Sequence, residues 1–327
     1  MAPTIRGRIG RSLSYGMISD NRPNNADTLW SASKMLNSVA CRYTDFSTPW
    51  YRDRESELKI RDIYHSHSAS QVEFINRKFW EWCVIVQALQ ERSKLRLDAK
   101  GLGFAVGTEP LSSFFAAKGC RILATDLSVE SSQLGWIERN EHAASKNALY
   151  YPQLIEREPF DERVMFQSAD MRTLKGLSGS YDFIWSSCAL EHLGSLQAGI
   201  DFVLESSMFL KPGGVAVHTT EFNVRSNDET VTSGSNVVYR QKDLLNLEEA
   251  LRLQGLKLAM LNFDTGDHPF DLDVDIAPYM QPGKRHLKLD ISGHVATSFL
   301  LIIEKLPEAK PNHSWRTRLN SLFRSRA

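Results

Sequence analysis

From about residue 96 the 327-residue chain repeats one pattern, a short apolar run followed by a helical stretch and then another run. Strands are expected near 99–105, 121–126, 163–168, 181–187, 214–220, 257–263 and 295–303, with helices near 110–118, 128–142, 195–210 and 240–254. Strands that alternate with helices are joined by crossovers, and crossovers lay helices on both faces of a parallel sheet. The fold class expected is therefore α/β, a doubly wound sheet of about seven strands. The final run, "VATSFLLII", follows a long connection at 264–294 without a clear helix, which leaves room for an antiparallel last strand.

Upstream of this pattern, Val72, Ile75, Phe79, Trp82, Val86 and Leu89 recur at spacings of three and four, the stripe of a lead-in helix at 70–92. Ser68 or Ser70 would cap it. Residues 1–68 read as an N-terminal extension, partly disordered, with an aromatic cluster at Tyr43, Phe46, Trp50 and Tyr51. These rings could stack on a sugar or cap a cofactor, although burial is the commoner fate of such residues. The main domain is placed at 69–306.

Residues 307–327 carry Arg316, Arg318, Arg324 and Arg326 with Trp315, Leu319, Leu322 and Phe323 at helical spacing. A basic amphipathic segment of this kind, especially 313–327, can lie on an anionic membrane surface. The plainer expectation is a frayed terminal helix. Met1–Ile18 is basic and serine-rich with no acid before Asp20, a composition like that of an organelle transit peptide, and lacks the apolar core of a secretory signal; a plain disordered tail is the expectation.

Lys+Arg and Asp+Glu balance at 39 each, which counts against a broad polyanionic partner, so no nucleic-acid partner is expected. The four cysteines are scattered without a CxxC pair and suit a reducing compartment. The cytoplasm is the expected location, with peripheral contact at the inner face of the membrane as an option through the tail. Oligomeric state is left open.

The turn after the first expected strand, "KGLGFAVGTEP", has glycines at 101, 103 and 107, with Val106 where a dinucleotide GxGxxG needs its third. Glu109 at the head of the next helix would repel pyrophosphate. S-adenosylmethionine brings no phosphate and carries a sulfonium and an ammonium. Asp126 ends the second strand, where an acid can accept both ribose hydroxyls.

Four segments in order, "GFAVGTEP", "SADMRTL", "YDFIWSSCALEHLGSL" and "LKPGGVAVHTTEF", resemble the class I S-adenosylmethionine-dependent methyltransferases, which have a Rossmann-like sheet. The resemblance implies S-adenosylmethionine as cofactor. Gly103, Ala105 and Gly107 would line its methionine part, and Asp126 would hold the ribose. Asp170 and Met171 would flank adenine, with Ser187 and Cys188 under the sulfonium. The family has glycine where Ala105 stands. The wording of "GFAVGTEPLSSFFAAKGCRILATDL" and of "HPFDLDVDIAPY" narrows the resemblance to bacterial methyltransferases encoded among polysaccharide-building enzymes. The acceptor implied is a saccharide or glycolipid hydroxyl. A small-molecule or protein acceptor, and a non-catalytic methyltransferase-like subunit, are alternatives; a dinucleotide oxidoreductase is a weaker one.

A hydroxyl holds its proton tightly near neutral pH, so O-methylation gains from a general base. His192, after the fourth strand, and Glu221, just past the fifth, are the candidates. Asp267, His268 and Asp271 in "DTGDHPFDLDVD" are candidate substrate contacts. A divalent metal there, on Asp267, His268 and Asp271, is a weaker alternative and is not expected.

Overall fold

The computed structural model describes residues 35–64, 74–128 and 142–307. In chain order these form β1 (Ser38–Val39), α1 (Pro49–Glu57), α2 (Ile60–Tyr64), α3 (Arg77–Glu91), β2 (Lys100–Gly103), α4 (Leu111–Ala117), β3 (Arg121–Asp126), α5 (Arg157–Arg163) and β4 (Val164–Ser168). Then come β5 (Tyr181–Ser186), α6 (Leu196–Ser206), β6 (Leu210–Asn223), α7 (Gln241–Leu253), β7 (Leu256–Leu258), β8 (Leu261–Asn262), β9 (Val274–Asp275), β10 (Lys288–Ile291) and β11 (His294–Lys305).

The main sheet runs β4-β3-β2-β5-β6-β11-β10-β9, with β7 also on β11. Strands β2 to β6 are mutually parallel, and β11 lies antiparallel to β6. The doubly wound α/β sheet with an antiparallel last strand is thus as the alternation implied. The order reverses between β2 and β5, which opens a crevice at their carboxyl ends.

Alternation along the strands decides which side chain meets which layer. Val215, Val217, Leu300 and Ile302 face α3 and α4, whereas Ala216, Leu301 and Ile303 face α6 and α7. On the first face Phe183 and Trp185 press against β2, where Gly101 and Gly103 stand. A Cβ on Gly103 would lie 2.3 Å from the Trp185 ring, so glycine is needed there for packing.

Several expectations need correction. The lead-in helix begins at Arg77, capped by Asn76, whose Oδ1 accepts the Lys78 N–H at 2.9 Å. The Ser68 and Ser70 caps lie outside the described residues, as do residues 129–141 of the helix expected at 128–142, the N-terminal 34 residues and the tail beyond 307. The compact body starts at Met35, not at residue 69. Ser38 and Val39 pair with Leu261 and Asn262, and Cys41 N–H donates to the Ser298 carbonyl at 2.8 Å. The segment 35–64 is too weakly periodic to announce this, because it is held by isolated anchors and not by one apolar face. "LKPGG" forms a bulge inside β6, with Tyr181 opposite Leu210 and Phe183 already opposite Val215. The expected strand at 257–263 is split into β7 and β8. The long connection contributes β9 and β10, which extend the sheet beside the amino-terminal half of β11. Since β11 is antiparallel, that half lies at the carboxyl ends of β5 and β6, beside the crevice.

Candidate active site

The carboxyl edge of the sheet is built first by the turn after β2. Ala105 and Gly107 both take left-handed backbone, with φ of 45° and 52°. At Ala105 this costs roughly 1 kcal/mol that glycine would not incur. The turn is tied to the end of β3. Asp126 Oδ2 accepts the N–H groups of Gly107 at 3.0 Å and Ala143 at 3.1 Å, and Oδ1 accepts that of Leu127 at 2.8 Å. Burial raises the Asp126 carboxyl above its ordinary range, against these donors. A carboxylate has about four acceptor positions, so about one is left on Oδ1 for a ribose hydroxyl.

Asp170 follows β4 and accepts three hydrogen bonds from the Arg172 guanidinium, which hold its carboxyl below the usual range. Met171 beside it is buried. Asp126 and Asp170 therefore stand at neighbouring strand ends. Gly103 lies close by, but its open side is taken by Trp185.

On the other flank of the crevice, the loop after β5 meets the first turn of α3. Glu81 is fully buried and accepts from Ser187 Oγ (2.9 Å), Cys188 Sγ (3.1 Å), Ser298 Oγ (2.5 Å), Arg77 Nη1 (3.0 Å) and Lys78 Nζ (3.0 Å). Burial opposes its charge, yet Lys78, Arg77 and these hydroxyls hold its carboxyl down to about 2. It is a fixed anion, not a base. Arg77 reaches across to Glu221, Nη2 to Oε1 at 2.5 Å. Glu221 Oε2 is enclosed and has no hydrogen-bond partner among the described residues. Burial pushes Glu221 up to about 7 against the pull of Arg77. Glu191 is buried next to it and accepts from Thr220 Oγ1 at 3.1 Å.

Of the two candidate bases, the structure brings Glu221 into this cluster. His192 is half-buried, and its Nδ1 meets the Ser235 carbonyl at 2.8 Å, so it ties down the loop. Its neighbour Glu191 is the residue turned inward. Ser187 and Cys188 stand just after β5, with Glu81 seated on both.

The acidic segment is knitted to the protein itself. Asp271 pairs with the buried Lys288 at 3.3 Å and accepts the Tyr43 N–H at 2.8 Å. His268 stacks on Tyr43 with ring centroids 4.2 Å apart, while Asp267 is exposed. Among the described residues these three do not gather as metal ligands; only Cys188, Glu191 and Glu221 bring three donor atoms within 4.8 Å of one another. Arg77, within reach of both Cys188 and Glu221, already supplies a cation there. Of the aromatic cluster, Tyr51 is buried in the core, with Phe46 and Trp50 packed against it.

Sequence reasoning missed Arg77, Lys78, Glu81, Glu191 and Ser298. A signal was present: three charges at 77, 78 and 81 in a helix that is otherwise apolar nearly all round must be paired inside.

A reversed strand order, a left-handed turn after β2 and an acid closing β3 define an α/β domain that holds a nucleoside-bearing cofactor. Residues 102–218 match the family model described as a methyltransferase domain. This segment is a methyltransferase domain of the S-adenosylmethionine-dependent class, with S-adenosylmethionine as its cofactor. The chain is 30% identical over 133 residues to a malonyl-[acyl-carrier protein] O-methyltransferase from Enterobacter lignolyticus (strain SCF1), over 41% of this chain and 43% of that protein. It thus spans less than half the length of that curated relative. Among solved structures it is similar to magnesium protoporphyrin IX methyltransferase from Synechocystis PCC 6803 with bound SAH, at 13% identity and a TM-score of 0.45, covering 80% of this chain and 97% of that one. It is also similar to an S-adenosylmethionine-dependent methyltransferase from Mesorhizobium loti, at 13% identity and a TM-score of 0.40, covering 66% and 95%.

The residues fit the cofactor. Among the described residues Glu81, Glu109, Glu191 and Glu221 stand with Arg77 and Lys78, so the crevice is richer in carboxyl groups than in cations, which suits a sulfonium and an ammonium better than a phosphate. No described helix is long and apolar enough to cross a membrane.

Proposed function

We propose that the protein methylates a hydroxyl of a neutral acceptor, of the saccharide or glycolipid class, with Glu221 as general base. The observation that carries this is the enclosed, unpartnered Oε2 of Glu221, held by Arg77 beside Ser187 and Cys188. Bound in the crevice, S-adenosylmethionine supplies a methyl group on a sulfonium. Asp126 and Asp170 hold the nucleoside end across β3 and β4. Glu221 would take the acceptor's hydroxyl proton as the oxygen gains the methyl group and the methyl–sulfur bond breaks, leaving S-adenosylhomocysteine, and Arg77 would keep the carboxylate oriented. A carboxyl in the region of 7 suits a base working near neutral pH. The saccharide class is supported by the resemblance of the sequence wording to enzymes of polysaccharide assembly.

The relative named above acts, by its name, on a malonyl carrier, and a carboxylate acceptor would need no base. An anionic acceptor would push the already raised carboxyls of Glu221 and Glu109 further toward their protonated forms, which favours the neutral hydroxyl. The test is to supply methyl-labelled S-adenosylmethionine with neutral glycans, glycolipids and malonyl carriers. Label is expected in the glycan or glycolipid fraction. Glu221→Gln should lower kcat by roughly 10²- to 10⁴-fold while leaving S-adenosylhomocysteine affinity unchanged. Wild-type kcat should rise with pH through about 7 as Glu221 ionises. Label in the malonyl carrier, indifferent to Glu221→Gln, would overturn the reading.

A further inference from the structure

One carboxylate of the crevice has no part in the chemistry above. Glu109 ends the turn after β2 and borders the network around Glu81, within the influence of Lys78 and Ser187. Its Oε2 is enclosed and has no hydrogen-bond partner among the described residues. The groups that act on it come from every element packed on the turn: Lys78, Glu81 and Trp82 from α3, Ser187 from the loop after β5, and Tyr64 and Tyr151 at the outer side. Tyr151 is anchored at the same turn, donating its hydroxyl to the Thr108 carbonyl.

We propose that Glu109 is the subsite for the α-ammonium group at the amino-acid end of the cofactor. The inference rests on the proposed function and adds a recognition residue to it. The argument begins with direction. Asp170, Asp126, the turn and Ser187 stand at the ends of β4, β3, β2 and β5, successive strands about 4.8 Å apart. A ligand whose nucleoside spans β4 and β3 must carry its other end over the turn toward β5. Glu109 and Ser187 are what it meets there. Charge gives the second argument. Lys78, 37% exposed at its side chain, lends its ammonium to Glu81 at 3.0 Å, so this corner already accepts an ammonium in a half-open setting. Glu81 is saturated by its donors and Glu109 is not. An incoming ammonium therefore finds its unsatisfied acceptor on Glu109. Burial raises the Glu109 carboxyl to about 8, against Lys78 and with Glu81, so binding of a cation there should drive a proton off.

The test compares S-adenosylhomocysteine with 5′-methylthioadenosine, the same nucleoside thioether without the amino-acid end, by calorimetric titration of the full-length protein. Glu109→Gln should weaken S-adenosylhomocysteine roughly 10- to 100-fold and leave methylthioadenosine unchanged. Asp126→Ala should weaken both. In the wild type, S-adenosylhomocysteine affinity should rise with pH up to about 8 while methylthioadenosine stays flat, a measurement that needs no folded variant. Equal losses for both ligands in Glu109→Gln, no loss for either, or a flat wild-type profile for both would overturn the subsite while leaving the cofactor reading intact. Failure of the wild type to bind either ligand would overturn the cofactor reading and the subsite together.

Discussion

At the scale of single residues, the crevice edge shows how burial sets the chemistry of groups that look alike in sequence. Glu81 and Glu221 are both buried carboxylates near Arg77. One is held at about 2 by a ring of donors, and the other is raised to about 7 with an oxygen left unpartnered. His218, in the middle of β6, illustrates the same principle in reverse. Its ring is fully buried, its Nδ1 meets Ser186 Oγ at 2.8 Å, and burial pushes it down to about 3. The unfolded chain takes up this proton near pH 6.5 and the folded chain does not until about 3. This group's stabilisation is therefore complete above about pH 6.5 and is lost as pH falls, by about 1.4 kcal/mol per pH unit. His218→Gln should flatten the pH dependence of unfolding by about that slope between about pH 6 and 4. Urea unfolding of both proteins across that range would measure it, and equal slopes would refute it. At this scale the sequence was partly legible. Asp126 closes β3 and Ser187 follows β5, as expected, whereas Glu221 lies inside β6 and not past it, because β6 continues to Asn223 along β11. In "LEHL" the histidine drew attention, yet the glutamate faces inward, since a short helical turn gives no periodicity from which direction can be read.

At the scale of elements, the face between β2 and α4 depends on an exchange of bulk. Gly101 and Gly103 leave space that Phe183 and Trp185 fill, so aromatic packing on one strand requires glycine on the next. Gly103→Ala should destabilise by about 1–3 kcal/mol through overpacking. Thermal unfolding would show it, and an unchanged midpoint would mean that the Trp185 ring yields. The sequence displayed the glycines and the aromatics but not their pairing, which depends on the register of β2 against β5. Nor did it show that β9 and β10 would form from the long connection. Two- and four-residue strands carry too few alternations to be recognised, and β10 is held in place by its partner β11.

At the scale of the whole molecule, the body is closed by its own beginning. Lys288 Nζ donates to the Cys41 carbonyl at 2.7 Å, Asp271 accepts from Tyr43, and Trp80 Nε1 donates to Asp45 at 3.0 Å. A chain started at Met35 keeps each of these anchors and should fold and melt cooperatively. One started at residue 69 strands the Lys288–Asp271 pair without its partners and should fail to fold or unfold at a much lower temperature. Circular dichroism melts of the two truncations distinguish these outcomes, and equal melts would return the domain boundary to residue 69. The boundary was illegible because polar anchors widely spaced in sequence leave no stripe.

The first turn of α3 also sets a limit on portability. A chimera that moved only residues 102–218 to another scaffold would carry Glu109 and Glu191 with it. It would leave behind Arg77 and Lys78, the cations that balance them, and Glu221 as well. The segment that defines the class is thus half of an electrostatic unit whose other half is written elsewhere in the chain, and recombination at its edges would separate recognition from reactivity.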